Sequence, residues 1–117
     1  MRSLEMTKPL DLAEKYMRSF FGMEPLEKMR AILAEDLLFE GPFLKSFTAK
    51  EYLDSLHENP PEDVSYVVEE AYEDENSACL VYWFSKPGVD TRMAQTFEIR
   101  DGKIHKIKLV FDTEAFK

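Results

Sequence analysis

Several features that would narrow the function of a protein are scarce in this chain of 117 residues. It contains a single cysteine, Cys79, so an internal disulfide bond cannot form. Basic residues are outnumbered, with 15 Lys and Arg against 23 Asp and Glu, and the formal net charge is −8. A chain of this charge repels nucleic-acid phosphates and anionic lipid head groups, so neither nucleic acid nor a membrane is expected as a partner.

The N-terminus carries no apolar run of signal-peptide length, which together with the lone cysteine favours a cytoplasmic protein. Met6 is a second candidate start, in which case residues 1–6 would be a leader without fixed structure. A chain with 44% hydrophobic residues can bury one core, and no repeat or linker divides it. We therefore predict one domain over residues 1–117.

Motifs for several kinds of chemistry are also missing. The two histidines, His57 and His105, lie far apart in sequence, and with Cys79 they offer no metal-ligand spacing. Glycine loops that cradle phosphates and nucleophile elbows are absent as well. The sequence therefore predicts neither a metal nor a cofactor.

The first half of the chain has helical periodicity. Apolar residues recur at spacings of three and four up to Phe21, and Gly22 follows where a left-handed helix cap would lie. A second helix is predicted from Pro25 to about Asp36, since Pro favours the first turn. A third begins at Thr48, whose hydroxyl can cap it, and ends before two consecutive prolines.

The second half of the chain alternates with a period of two. Four strands are predicted, at residues 64–74, 77–86, 92–100 and 103–112. The turns between them are too short for a parallel crossover, so the strands should pair as antiparallel hairpins. Three helices followed by such a meander predict an α+β domain, with the helices on one face of a curved, mainly antiparallel sheet.

A short strand between the second and third helices ends in Phe39-Glu40-Gly41-Pro42, and the last strands contain Phe-Glu-Ile-Arg-Asp-Gly-Lys-Ile and Leu-Val-Phe-Asp. With this order of elements, the chain from about Pro9 to Phe116 resembles the nuclear transport factor 2-like superfamily and its SnoaL-like branch. The resemblance implies a cone-shaped, cystatin-like barrel whose cavity binds or transforms small, often apolar molecules. The superfamily contains isomerases, cyclases, hydrolases and non-catalytic binders, so the fold alone does not fix the function.

Strand alternation indicates which side chains would face such a cavity. On the third long strand Gln95 shares the apolar face with Met93 and Phe97, and on the last strand His105 shares the inner face with Leu109. Comparison with the family places Tyr82 inside as well. The predicted lining consists of Tyr16, Phe20, Leu38, Tyr82, Met93, Gln95, Phe97, Leu109 and Phe111.

The resemblance also allows the catalytic positions of two enzyme groups to be compared. Gly41 stands where ketosteroid isomerases carry their catalytic Asp, so that base is missing, although Tyr16 and Gln95 match their hydrogen-bond donors. The Asp, Arg, Asp relay of the epoxide hydrolases is absent too, because the nearest positions hold Leu80, Tyr82 and Leu109. Neither reaction is therefore expected.

Glu40 is the remaining acid with an inward direction, since it shares strand parity with Leu38. Desolvation in an apolar cavity would favour its protonated form, which suits an acid or base that works near neutrality. The alternative is a structural role, in which Glu40 caps a backbone group or pairs with a lysine at the strand end. For Tyr16 the structural alternative is a packed phenol with one hydrogen bond.

The opposite face of the sheet carries Val81, Trp83 and Val110. Exposure of these side chains would leave a sizeable apolar patch in water, so a homodimer formed through this face is predicted.

Three functions follow in order of preference. The first is a binder of a small, largely apolar molecule held in the cavity. The second is a cofactor-free isomerase, cyclase or hydratase, with Glu40 as acid or base and Tyr16 and Gln95 as hydrogen-bond donors. The third is a protein-interaction module that uses the acidic hairpin at residues 69–75. An open cavity would separate the first two from the third, because a packed interior leaves no room for a small molecule.

Overall fold

The computed structural model describes residues 8–46 and 48–117, so the leader predicted at residues 1–6 lies outside the described residues. The helices are α1 (Pro9–Phe20), α2 (Leu26–Arg30), α3 (Ala49–Glu58) and a C-terminal 3₁₀ helix (Thr113–Phe116). The strands are β1 (Leu33–Glu40), β2 (Lys45–Ser46), β3 (Ser65–Glu73), β4 (Ser77–Lys86), β5 (Val89–Arg100) and β6 (Lys103–Phe111).

Helix α1 ends where the sequence predicts, and a left-handed glycine caps it as predicted. Gly22 has a φ of +81°, the left-handed conformation that glycine adopts without steric penalty. The Met23 N–H donates to the Arg18 carbonyl at 2.9 Å and the Gly22 N–H to the Ser19 carbonyl at 3.4 Å. These two bonds form a Schellman motif, which satisfies carbonyls that the helix end would leave without donors.

Helix α2 is much shorter than predicted. It ends at Arg30, and β1 already begins at Leu33, so the prediction of a helix reaching Asp36 was wrong. The apolar residues Ile32 and Leu33 fit a helical spacing, but Leu33 pairs with Ile104 of β6 and is buried as part of a strand. Tertiary pairing with the sheet thus overrides the local pattern.

Helix α3 begins as predicted. The Thr48 hydroxyl accepts a hydrogen bond from the Glu51 backbone N–H at 3.0 Å, which provides one of the orphan donors of the first turn with a partner. The helix buries Tyr52, Leu53 and Leu56 on one face, and this face lies against β1.

The six strands form one sheet in the order β2-β1-β6-β5-β4-β3. Consecutive strands from β3 to β6 pair antiparallel, β1 joins β6 in parallel, and β2 pairs antiparallel with β1. The predicted α+β class, with helices on a mainly antiparallel sheet, is confirmed. Within the described residues β2 and β3 remain the two free edges, so the sheet is open.

Two hairpin turns set the register of the long strands. Strand β5 starts at Val89, three residues earlier than predicted, because only Pro87 and Gly88 separate it from β4. Between β5 and β6, Asp101 and Gly102 both have positive φ values, of 54° and 77°. Two positive φ angles in a two-residue loop are typical of a type I′ turn, whose twist matches that of the flanking strands.

The described part of the chain contains no helix long and apolar enough to cross a membrane.

Candidate functional site

A cavity of about 440 Å³ lies between the helices and the inner face of the sheet. This volume is in the range of small-molecule sites. Its walls are mostly aromatic and aliphatic, and the polar atoms belong to a few side chains. The lining consists of Tyr16, Phe20, Phe21, Phe39, Gly41, Pro42, Phe43, Leu44, Tyr52, Leu56, Asn59, Tyr82, Phe84, Met93, Gln95, Leu109, Phe111 and Phe116.

The side chains that line the cavity are placed by element periodicity. Tyr16 and Phe20 are four residues apart on α1, and Tyr52 and Leu56 are four apart on α3, so each pair lies on one helix face. Buried and less buried residues alternate along β4 and β5. This alternation directs Tyr82 of β4 and Met93 and Gln95 of β5 to the same side of the sheet. The cavity therefore lies between the helices on one side and the sheet on the other.

Two polar side chains of the sheet bind each other inside this apolar space. The Tyr82 hydroxyl donates to Gln95 Oε1 at 2.8 Å. Gln95 is 2% exposed and Tyr82 3% exposed, so neither has bulk water as a substitute partner. A buried amide without partners would be destabilising by a few kcal/mol, and the Tyr82 hydrogen bond removes part of this penalty.

A second polar pair comes from the two helices. The hydroxyls of Tyr16 and Tyr52 share a hydrogen bond, and both rings are almost completely buried. The Tyr52 ring stacks on Phe39 with centroids 4.6 Å apart, while the Tyr16 ring meets Phe97 edge to face at 5.4 Å. These ring contacts fix the positions of both hydroxyls.

Gln95 also lies beside Tyr16, so the two pairs form one group. Burial raises the pKa of Tyr16 far above its ordinary value of 10.0, and the Tyr52 and Gln95 side chains beside its hydroxyl oppose this rise. Burial also raises the pKa values of Tyr52 and Tyr82. All three phenols are therefore neutral at physiological pH. We call Tyr16, Tyr52, Tyr82 and Gln95 the polar relay.

The polar relay has more donors than its internal bonds use. Three phenols and one amide carry five N–H and O–H hydrogens, whereas the hydrogen bonds inside the group, from Tyr82 to Gln95 and between Tyr16 and Tyr52, use two of them. Three hydrogens remain for other acceptors. The relay is thus suited to bind an oxygen atom of a ligand.

Charged side chains do not contribute to this site. Among the described lining residues none is Asp, Glu, His, Lys or Arg. A carboxylate or ammonium group placed here would lose its hydration without meeting an opposite charge, which is strongly unfavourable. The cavity therefore favours uncharged molecules.

Most of the predicted lining residues do lie around the cavity: Tyr16, Phe20, Tyr82, Met93, Gln95, Leu109 and Phe111. Phe97 does not, because it is 0% exposed and packs beneath Tyr16 as part of the core. On β6 the predicted inward position of His105 was wrong. The register shifts between Glu98 and Ile99, so Ile104 pairs with Ile99 and is fully buried, while His105 is partly exposed.

The inward direction predicted for Leu38 and Glu40 was also wrong. In the second half of β1 the buried residues are Leu37 and Phe39, at 0% and 5% exposure, so Leu38 and Glu40 alternate onto the opposite face. There Glu40 lies opposite Lys45 of β2 and Lys108 of β6 in the sheet register. Its surroundings match the structural alternative, in which a strand-end acid lies among lysines.

Several residues of the site were not predicted from the sequence. Tyr52 belongs to the buried face of α3, where its spacing indicates core packing and gives no sign that its hydroxyl reaches the cavity. Phe43 and Phe116 were missed because they lie outside the long strands, in the loop after β1 and in the 3₁₀ helix. Their rings meet at 5.6 Å, nearly perpendicular, at the cavity mouth.

No family model and no curated protein matches this sequence. Among solved structures, an NTF2-like protein of unknown function from Cytophaga hutchinsonii superposes with a TM-score of 0.81 at 19% identity, over 97% of this chain and 98% of that one. A proposed ketosteroid isomerase from Kribbella flavida superposes with a TM-score of 0.76 at 23% identity, over 86% and 75% of the chains.

A protein of unknown function from Xanthomonas campestris, described as having a cystatin-like fold, gives a TM-score of 0.75 at 17% identity, over 94% of this chain and 95% of that one. Identities this low establish the fold and leave the activity open. The resemblance inferred from the sequence is thereby confirmed at the level of architecture: the chain has the NTF2-like, cystatin-like fold.

Proposed function

We propose that this protein binds a small, uncharged, largely apolar molecule in the cavity, and that the polar relay donates a hydrogen bond to an oxygen of that molecule. The observation that carries the proposal is the combination of an apolar cavity of about 440 Å³ with buried donors that are not all used internally. A ketone or ester carbonyl supplies an acceptor without a charge. The ligand class is therefore a neutral carbonyl compound with a hydrocarbon body.

The size of the cavity weighs against a purely structural or protein-binding role. Aromatic side chains surround the space without filling it. An empty apolar space weakens a fold, because its walls lose packing contacts. A ligand that fills this space would restore those contacts.

The catalytic alternative has weaker support from the geometry. Tyr16 and Gln95 lie in the cavity as donors, but Glu40, the acid or base assigned to it, lies on the other face of β1. Donors without a base can orient or polarise a carbonyl group, yet proton transfer between carbons also needs a group that accepts the proton. Binding is thus the function that the described residues support best.

Three naphthalene derivatives test the proposal by isothermal titration calorimetry. They share the same ring system and differ in one substituent: 2-acetylnaphthalene has a neutral carbonyl, 2-ethylnaphthalene has no acceptor, and 2-naphthoate has a charged one. We expect the ketone to bind about fivefold more tightly than the ethyl compound, since a net hydrogen bond contributes roughly 1 kcal/mol. The carboxylate should bind most weakly.

Two variants at neighbouring positions of β6 locate the binding site. Leu109→Trp places a large ring in the cavity and should abolish binding of the ketone. Val110→Trp adds the same ring on the opposite face and should leave binding unchanged. Equal loss in both variants, or tightest binding of the carboxylate, would contradict the proposal.

A further inference from the structure

One polar side chain lines the cavity apart from the polar relay. Among the described lining residues, only Asn59 and the four members of the relay carry polar side-chain atoms. Asn59 is exposed to solvent, whereas all four members of the relay are almost completely buried. The cavity therefore has polar groups in two places, the relay at its inner end and Asn59 at its mouth.

Helix α3 sets the distance between these two places. Tyr52, Leu56 and Asn59 are at positions i, i+4 and i+7, so they lie on one face of the helix. Asn59 is the C-cap residue, and its N–H donates to the Ser55 carbonyl at 3.0 Å, so the helical geometry extends to it. Seven residues at the rise of a helix place the Cα atoms of Tyr52 and Asn59 about 10 Å apart along the axis. Between them Leu56 contributes an apolar side chain to the wall.

The Asn59 side chain has no structural role in the described part of the chain. Asn often ends a helix in the left-handed conformation, but Asn59 has a φ of −134°, the extended backbone that a residue before proline prefers. No hydrogen bond of its amide group occurs among the described residues. Both a donor and an acceptor of this amide are thus left for a molecule in the cavity.

We propose that the ligand carries a hydroxyl group at the end opposite its carbonyl, and that the Asn59 amide binds this hydroxyl. The inference rests on the proposed function, because it concerns the outer half of the same cavity. A hydroxyl both donates and accepts, as the amide does. The ligand class is therefore a neutral hydroxy ketone whose two oxygens lie at opposite ends of an elongated hydrocarbon body.

Asn59 determines specificity because its neighbours at the mouth offer no polar contact. Phe43 and Phe116 meet there edge to face, and Leu44 lies beside them in the wall. A polar group that enters this apolar surround loses part of its hydration, and only a hydrogen bond from the wall replaces what is lost. The amide carries no charge, so it suits a hydroxyl and gives a carboxylate no opposite charge.

Two matched ligands test the inference by isothermal titration calorimetry. The compounds 2-acetyl-6-(hydroxymethyl)naphthalene and 2-acetyl-6-ethylnaphthalene have nearly the same shape and differ in a hydroxyl in place of a methyl group. The ratio of their affinities is measured in the wild-type protein and in Asn59→Leu, so that the difference in hydration between the two ligands cancels. We expect the substitution to shift this ratio about fivefold towards the ethyl compound, since it removes the hydrogen bond of the amide.

Glu58→Leu is the matched control. Glu58 is exposed, precedes Asn59 on α3 and is not among the lining residues, so this variant should keep the wild-type ratio. Because both positions are exposed, both variants should keep the circular dichroism spectrum of the folded protein.

The outcomes separate this inference from the proposed function. An unchanged ratio in Asn59→Leu, or an equal shift in Glu58→Leu, overturns the role of Asn59, while tight binding of 2-acetylnaphthalene would still support the proposed function. If neither 2-acetylnaphthalene nor the two longer ketones bind the wild-type protein, the proposed function and the inference both fail.

Discussion

At the residue scale, the polar relay consists of four side chains in a mostly apolar cavity wall, and each of them forms a hydrogen bond with another member. A Gln95 side chain without partners in an apolar wall would destabilise the fold. The hydrogen bond that the Tyr82 hydroxyl donates to its carbonyl oxygen offsets part of this destabilisation. Tyr16 and Tyr52 reach the same space from two different helices. Each group is thus both a partner of its neighbours and a potential contact for a ligand.

Tyr82→Phe tests this dependence through stability. The substitution keeps the ring but leaves Gln95 Oε1 without its donor, so the free energy of unfolding should fall by about 1–3 kcal/mol. Urea denaturation measures the change. Tyr66→Phe is the matched control, because the Tyr66 ring packs beside Phe21 while its hydroxyl has no hydrogen bond among the described residues. The control should change stability by less than about 0.5 kcal/mol.

The raised pKa values of the buried phenols predict a loss of stability at alkaline pH. Tyr16 and Tyr52 stay protonated in the folded chain but ionise near pH 10 in the unfolded chain, so folding retains protons above that pH. Their contribution is fully present below pH 10. Each phenol should lower the free energy of unfolding by about 1.4 kcal/mol per pH unit above it.

Ultraviolet absorbance of tyrosinate, recorded together with circular dichroism, measures this behaviour. Tyr66 and Tyr72 are the less buried tyrosines and should ionise while the fold is intact. The remaining three should ionise only as the circular dichroism signal is lost. Ionisation of more than two tyrosines in the folded protein would contradict the assignment of the buried group.

At the element scale, α1, α3 and the hairpins could be predicted from the sequence, but the end of α2 and the orientation of β1 could not. The four long strands and α3 follow from alternation, turn residues and the Thr48 cap. In β1, however, Leu37, Leu38 and Phe39 are three apolar residues in a row, so alternation gives no preference for either face. In the structure β1 pairs with β6 so that Leu37 and Phe39 are buried. Glu40 therefore lies on the opposite face, away from the cavity in which it was predicted to act.

The second limit at this scale is the register shift in β6. An unpaired residue in one strand reverses the facing of every residue on one side of it, and the sequence shows no glycine or proline at His105 to signal this. Leu109 and Phe111 therefore line the cavity as predicted, whereas the inward direction predicted for His105 was wrong.

Thr48→Ala tests how far α3 depends on its cap. The variant removes the acceptor for the Glu51 N–H, which should lower stability by about 1 kcal/mol. Because α3 carries Tyr52 and Leu56 into the cavity, affinity for the ketone probe should fall as well. Thr48→Ser retains the hydroxyl and should behave like the wild-type protein in both measurements. An unchanged unfolding midpoint in the alanine variant would show that the cap is not needed.

At the scale of the whole molecule, the sheet combines local and distant pairings. The meander from β3 to β6 is built from neighbours in sequence, whereas β1 must find β6 across more than sixty residues, as in the pairing of Leu38 with Lys106. The order of helices followed by a meander made the class predictable. The position of β1 beside β6 was not predicted, because no local signal specifies a distant parallel pairing.

Hydrogen exchange followed by mass spectrometry tests the resulting hierarchy. Strand β5 has twelve residues and is paired on both sides, so its amides should exchange only when the whole chain unfolds. The two-residue edge strand β2 should exchange fastest among the strands. Slower exchange in β2 or β3 than in β5 would contradict this order.

The position of Trp83 has a practical consequence for spectroscopy. It is the only tryptophan of the sequence, and it lies on the sheet face that points away from the helices, where it contacts Arg92 and Asp90. The aromatic side chains that line the cavity are phenylalanines and tyrosines. Tryptophan emission excited at the red edge of the absorption band therefore reports on the side of the sheet away from the cavity. The chain thus carries, without an added label, an optical probe of that side alone.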